Sequence, residues 1–100
     1  MELSIVIPIK DEKENIRRLH ERITEALRAF PSLYEIVLVD DGSTDGSHLE
    51  MEALAARDAR LKVVRLRRNF GQSAAMQAGI DHATGDVIVT MDGDLQNDPA

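Results

Sequence analysis

The chain has 100 residues, 43% hydrophobic and 30% charged, with six glycines and three prolines. This is the composition of one small folded domain and excludes a disordered tail or low-complexity segment. A formal charge of −6 argues against nucleic acid as a partner, and the lack of cysteine excludes disulfides and thiolate metal sites.

The first apolar run, Leu3–Ile9 (LSIVIPI), is nearly continuous and rich in Ile and Val, which predicts a strand buried on both faces of a parallel sheet. It is too short for a secretory signal or a bilayer span, so a cytoplasmic location is expected. Asp11 and Glu14 have capping-box spacing, and Ile16, Leu19, Ile23, Leu27 and Phe30 recur at helical intervals up to Pro31. Residues 35–39 (EIVLV) form a second buried strand that runs into Asp40, Asp41, Gly42 and Ser43. Ser47 and Glu50 suggest another capping box before a helix over 49–60, with Leu49, Leu54 and several alanines as its apolar face. A third strand is predicted over 62–66, an Ala-rich helix over 72–83, and a fourth strand over 86–91 that leads into Asp92, Gly93 and Asp94.

Four strands alternating with three helices make repeated βαβ units. Right-handed crossovers turn these into an α/β fold: an open, mostly parallel, Rossmann-like sheet with helices on both faces. Such sheets bind ligands beyond the carboxyl ends of their strands. Polar residues gather at those ends: 8–12, 40–43, 67–72 and 92–96.

Asp92 and Asp94 stand two apart after a buried strand, so in extended geometry both carboxylates leave on one side. Like charges held together favour a shared hard cation, and oxygen ligands select Mg²⁺ or Mn²⁺. The competing reading is a solvated turn around Gly93. Asp40 and Asp41 also suit a turn. Alternation along the strand points them in opposite directions, so that one can hold the loop while the other accepts hydrogen bonds from a base or ribose. Arg68, near the third strand's end, is a candidate for meeting a diphosphate, whereas Arg65 and Arg67 read as solvated charge. Asn69, Gly71 and Gln72 open a helix whose free N–H groups suit an anion. His20, His48 and His82 read as surface residues, and Met76 and Met91 as core filler.

Four segments, VIPIKDEKENI (6–16), EIVLVDDGSTDGS (35–47), RNFGQSAAMQAGIDHATGD (68–86) and MDGDLQNDP (91–99), together resemble family 2 glycosyltransferases of GT-A fold. Within that family they are most similar to the dolichyl-phosphate mannose synthases and bacterial polyprenyl-phosphate glycosyltransferases, the branch to which the D-L-Q-x-x-P ending points. The resemblance implies a nucleotide pocket containing Pro8, Ile9, Lys10, Glu12 and Asp41, with Arg68, Asp92 and Gly93 toward the sugar nucleotide. It further implies that Asp92, Asp94 and Gln96 hold the metal, Asp94 being catalytic. Relatives commonly carry Tyr-Asn where Lys10 and Asp11 stand, which leaves UDP or GDP open. The implied reaction is inverting transfer of a sugar from a nucleotide-sugar to a polyprenyl phosphate.

Residues 1–100 are therefore expected to be the nucleotide-sugar-binding half of a GT-A domain that stops just after the D-x-D. Such a half is expected to bind weakly and not turn over, to sit in a protein acting at the cytoplasmic face of the membrane, and to pair through an unfinished sheet. Alternatives are an aspartate-based phosphotransfer or phosphohydrolase domain and a non-catalytic nucleotide-binding module. The phosphohydrolase pattern places its D-x-D on the first strand, whereas here it comes last.

Overall fold

A computed structural model describes residues 2–91. Chain order is β1 (Leu3–Ile9), α1 (Lys13–Ala26), β2 (Tyr34–Asp40), α2 (Ser47–Arg57), β3 (Leu61–Arg65), α3 (Gln72–His82) and β4 (Val87–Thr90). Each predicted element is present, with ends moved by one to a few residues. The candidate metal residues Asp92, Asp94 and Gln96, together with Gly93, lie outside the described residues.

The sheet is wholly parallel, in the order β3-β2-β1-β4. From β1 through β3 the chain steps outward in one direction with α1 and α2 on one face. It then crosses back over β2 and β1 to place β4 on the far side. A right-handed crossover travelling the opposite way must put its helix on the opposite face, and α3 is found there. The direction of winding thus reverses between β1 and β4.

Strand alternation divides the core in two. Ile5, Ile7, Ile9, Ile36 and Leu38 face α1 and α2, packing on Ile16, Leu19, Ile23, Met51 and Leu54. Val6, Val37 and Val39 face α3 and meet Ala75. The continuous apolar runs in β1 and β2 are explained by this two-sided burial. β4 differs: Val87, Ile88 and Val89 are exposed, and so is Met91, which does not serve as core filler.

Both expected capping boxes fail. The N-cap of α1 is Glu12 and that of α2 is Gly46, and neither makes a side-chain cap bond. Glu50 instead pairs with Arg17 at 3.3 Å. α1 ends at Ala26, short of Phe30, whose ring turns edge-on to Tyr34 at 6.2 Å. Leu49, expected on the buried face of α2, is 63% exposed, and Met51 takes its place beside Leu54.

At the amino end of the sheet a buried carboxylate ties three strands together. Glu35 accepts from the Ser4 hydroxyl at 2.6 Å, the Thr84 N–H at 2.7 Å and the Thr84 hydroxyl at 3.0 Å, and pairs with Lys62 at 3.1 Å. Ser4 Oγ in turn accepts the Gly85 N–H at 2.8 Å, which fixes the entry to β4.

Candidate functional site

The carboxyl edge of the sheet is built from three loops. β1 and β2 run in register, Pro8 beside Val39 and Ile9 beside Asp40, and the ladder continues one step beyond β2 where the Asp41 N–H donates to the Ile9 carbonyl at 2.8 Å. On the other flank the Leu66 N–H donates to the Asp40 carbonyl at 2.9 Å. The tips of β1, β2 and β3 therefore end side by side. Beyond β4, the Met91 N–H donates to the Val6 carbonyl at 3.0 Å, which extends the ladder between β4 and β1 to the last described residue.

Asp40 and Asp41 are both buried, 1% and 4% exposed, and point to opposite faces as strand alternation requires. Asp40 Oδ1 accepts the Ser43 N–H at 2.9 Å and closes the turn after β2. Its Oδ2 is buried without a hydrogen-bond partner among the described residues, and the Arg65 Nε approaches to 3.9 Å, beyond hydrogen-bond range but close enough to compensate charge. Arg65 thus has an ionic neighbour, although its side chain is 57% exposed, much as expected for solvated charge. Asp41, on the α3 side, accepts the Phe70 N–H on Oδ1 at 2.8 Å, and among the described residues no donor reaches its Oδ2. Of the pair, Asp40 is a loop holder and Asp41 retains acceptor capacity at the edge.

Gly42 shows how closely these loops approach. Its φ is +70°, and a Cβ added there would stand 2.4 Å from Asn69 N and 2.5 Å from Arg68 C. Only glycine lets the backbone after β2 touch the backbone after β3 in this conformation. Arg68 projects over the Phe70 ring at 4.8 Å, a cation–π contact on the exposed rim.

The β1–α1 loop holds the other expected residues. Pro8 is buried in β1, and Ile9 points into the core, so its main chain alone faces the edge. Lys10 donates to the Gly42 carbonyl at 3.1 Å and pairs with Asp11 at 3.0 Å. Glu12 accepts from the Asn15 side chain at 2.8 Å, and its N–H donates to Ser47 Oγ at 3.1 Å.

Composition did not reveal the part played by Asp11, Asp45, Ser43 and Ser47, which join the first two loops. Asp11 has a left-handed backbone, φ 51°, and accepts the Thr44 N–H at 2.7 Å. Its own N–H donates to Ser43 Oγ at 2.9 Å, and the Lys13 N–H donates to Asp45 Oδ2 at 3.1 Å. The Thr44 N–H, followed by Lys10, holds the Asp11 carboxyl below its usual value. Burial would raise Asp45, but the Ser47 hydroxyl and the Lys13 and Ser47 N–H groups outweigh it and lower that carboxyl too. The signal in the sequence was the density of Asp and Ser in 40–47, of which 40–43 read as a turn and Ser47 as part of a capping box.

Two histidines differ from a purely surface reading. His20 meets Asp58 at 2.8 Å and closes one side of an open hollow of about 430 Å³ lined by Arg17, Glu21, Leu54 and Arg57. His48 has its Nδ1 buried without a hydrogen-bond partner among the described residues. The hollow lies between α1 and α2 and includes none of the strand-tip residues. Among the described residues no group of three or more His, Asp or Glu side chains is placed to hold a metal, and no helix is long and apolar enough to cross a membrane.

Known proteins are similar to this chain in sequence and in backbone fold. The chain is 51% identical over 100 residues to a dodecaprenyl-phosphate galacturonate synthase of Rhizobium johnstonii, a match that takes in 99% of this chain and 30% of that protein. Its backbone superposes with a TM-score of 0.80 and 26% identity on the mannosyltransferase PcManGT from Pyrobaculum calidifontis, solved with GDP-Man and Mn²⁺, over 93% of this chain and 27% of that one. It superposes equally on S. aureus TarS in complex with UDP-GlcNAc, with a TM-score of 0.79 and 28% identity over 94% of this chain and 27% of that one. The chain thus spans about a third or less of the length of these relatives. The model of glycosyl transferase family 2 matches residues 4–100, and the chain belongs to that family.

Proposed function

We propose that this chain is the nucleotide-sugar-binding part of an inverting glycosyltransferase that moves a sugar from a UDP- or GDP-sugar to a polyprenyl phosphate at the cytoplasmic face of a membrane. The observation that carries the reading is the meeting of the β1, β2 and β3 tips beside the reversal between β1 and β4, where open parallel sheets take their ligands. The acceptor class is supported by the 51% identical relative, whose name specifies a dodecaprenyl phosphate. The donor class is supported by the two neighbours solved with GDP-Man and UDP-GlcNAc.

In this reading the base lies against the main chain of 8–12, and Asp41 Oδ2 accepts a hydrogen bond from the base or ribose. Arg68 faces the diphosphate. Asp92, Asp94 and Gln96 offer two carboxylates and an amide oxygen, an all-oxygen set that suits a hard divalent cation. Bound there, Mg²⁺ or Mn²⁺ would neutralise charge on the departing nucleoside diphosphate. The acceptor phosphate is already anionic, so its oxygen attacks the anomeric carbon without a strong general base, and the nucleoside diphosphate leaves from the opposite face with inversion.

The test is thermal unfolding of the full chain with UDP or GDP, each with and without Mn²⁺. One nucleotide is expected to raise the Tm by about 3 °C or more with metal only, and Asp92→Ala is expected to abolish the shift. No nucleotide response at millimolar concentration overturns the reading.

A further inference from the structure

The N-terminus of α1 is capped in an unusual way. Helix N-termini leave free N–H groups that a preceding side chain ordinarily satisfies. Here three successive N–H groups, those of Asp11, Glu12 and Lys13, each donate to a side chain of the β2–α2 loop or of the first residue of α2: Ser43 Oγ at 2.9 Å, Ser47 Oγ at 3.1 Å and Asp45 Oδ2 at 3.1 Å. The Asp11 carboxylate returns the connection by accepting the Thr44 N–H at 2.7 Å, and Lys10 adds its bond to the Gly42 carbonyl at 3.1 Å. The partners are 32 to 35 residues apart in sequence. Local caps would leave the two loops independent, whereas these caps make them one body.

Asp11 is the turning point. Its φ of 51° is the left-handed region, which Asp, Asn and Gly tolerate better than other residues, and that backbone directs the N–H at Ser43 while the side chain reaches Thr44. The residues on either side of this latch are the candidates for binding the base: Pro8 to Glu12 on one loop and Asp41 at the root of the other.

We propose that Asp11 is a positioning residue that latches the β1–α1 loop to the β2–α2 loop and so sets the distance across the nucleotide subsite before the nucleotide arrives. The inference rests on the nucleotide-sugar reading given above. Asp11 is exposed, as are Thr44 and Asp45, so the latch adds little to global stability, yet it fixes where the two halves of the subsite stand.

The experiment compares Asp11→Gly, Asp11→Asn and Ser43→Ala with wild type in the full chain, reading Kd for UDP and GDP in the presence of Mn²⁺, together with Tm. Glycine keeps the left-handed backbone and removes the carboxylate, whereas asparagine keeps both the backbone preference and an oxygen for Thr44. Asp11→Gly is expected to raise Kd about tenfold with a nearly unchanged Tm. Asp11→Asn is expected to restore Kd to near wild type. Ser43→Ala, which removes the acceptor of the Asp11 N–H, is expected to raise Kd in the same direction and keeps the test decisive should Asp11→Gly not fold. An unchanged Kd in both Asp11→Gly and Ser43→Ala overturns the latch, as does a fall in Tm with Kd unchanged. An Asp11→Asn defect equal to that of Asp11→Gly also overturns it, because it assigns the carboxylate a direct contact with the ligand. If wild type binds neither UDP nor GDP, the proposed function falls and the latch falls with it; wild-type binding with unaffected variants overturns the latch alone.

Discussion

Single residues at the carboxyl edge are held by geometry that leaves little freedom. Gly42 is the clearest case, since its φ of +70° and the Asn69 N, 2.4 Å from where a Cβ would stand, oppose any side chain for two separate reasons. Gly42→Ala is expected to destabilise the protein by about 2 kcal/mol or more, measured by urea unfolding, and to weaken nucleotide binding by pushing the β2 and β3 loops apart. The neighbouring carboxylates show why a D-D pair need not have two ligand roles. Asp40 is engaged by Ser43 and Arg65, and Asp41, likewise buried, spends one carboxylate oxygen on the Phe70 N–H. The alternation of the strand foretold that division, but the identity of Phe70 as the donor could not be foretold, because residue 70 lies 29 positions away.

The elements are specified mainly by their apolar runs, and α3 shows where that logic stops. It presents only Ala75 and Gly79 as fully buried residues, so its adhesion depends on close approach and not on large side chains. A Cβ at Gly79 would stand 2.3 Å from Val6 Cγ1 and 2.8 Å from Val39 Cγ2, in the centre of the smaller core. Helix propensity alone favours alanine over glycine by about 1 kcal/mol. Overpacking of two branched side chains that cannot swing clear outweighs this, and Gly79→Ala is expected to destabilise by about 1–3 kcal/mol in chemical denaturation. The failed capping boxes belong to this scale too. Asp11 and Ser47 have the right chemistry at the right spacing, yet the Asp11 carboxylate and the Ser47 hydroxyl oxygen accept N–H groups of the opposite loop, since bringing β1 and β2 into register puts that loop within reach.

Across the whole molecule, the amino and carboxyl edges of the sheet divide the labour. The carboxyl edge gathers the candidate ligand residues, while the amino edge is closed by Glu35 and its partners. Burial would push Glu35 upward, but the Ser4 hydroxyl, the Thr84 N–H, Lys62 and the Thr84 hydroxyl overcome it and bring its pKa down from 4.5 to about 2. A folded pKa below the unfolded one gives stability that is fully present above the unfolded value and is lost as pH falls through the folded value. The contribution is therefore expected to disappear between about pH 4.5 and pH 2, and to amount to at most about 3 kcal/mol. Glu35→Gln should flatten that part of the stability–pH curve, as measured by denaturant midpoints at stepped pH. If the slope in the variant equals that of wild type, Glu35 is not its source.

The amino-acid sequence alone determined the alternation of strands and helices, the parallel class of the sheet, the edge at which the candidate ligand residues gather and the family resemblance. These follow from periodicity, from the order of motifs and from the right-handed crossover, all of which act over short stretches or are independent of detail. Tertiary structure decided the strand order, the trans capping of α1, the pairing of His20 with Asp58 and the Glu35 network. Each depends on groups separated by tens of residues: Thr84 lies 49 positions from Glu35, and Gly85 lies 81 from Ser4. A side chain's hydrogen-bonding chemistry is written in its own residue, but its partner is chosen only when the sheet has assembled and brought distant chain segments within hydrogen-bonding reach.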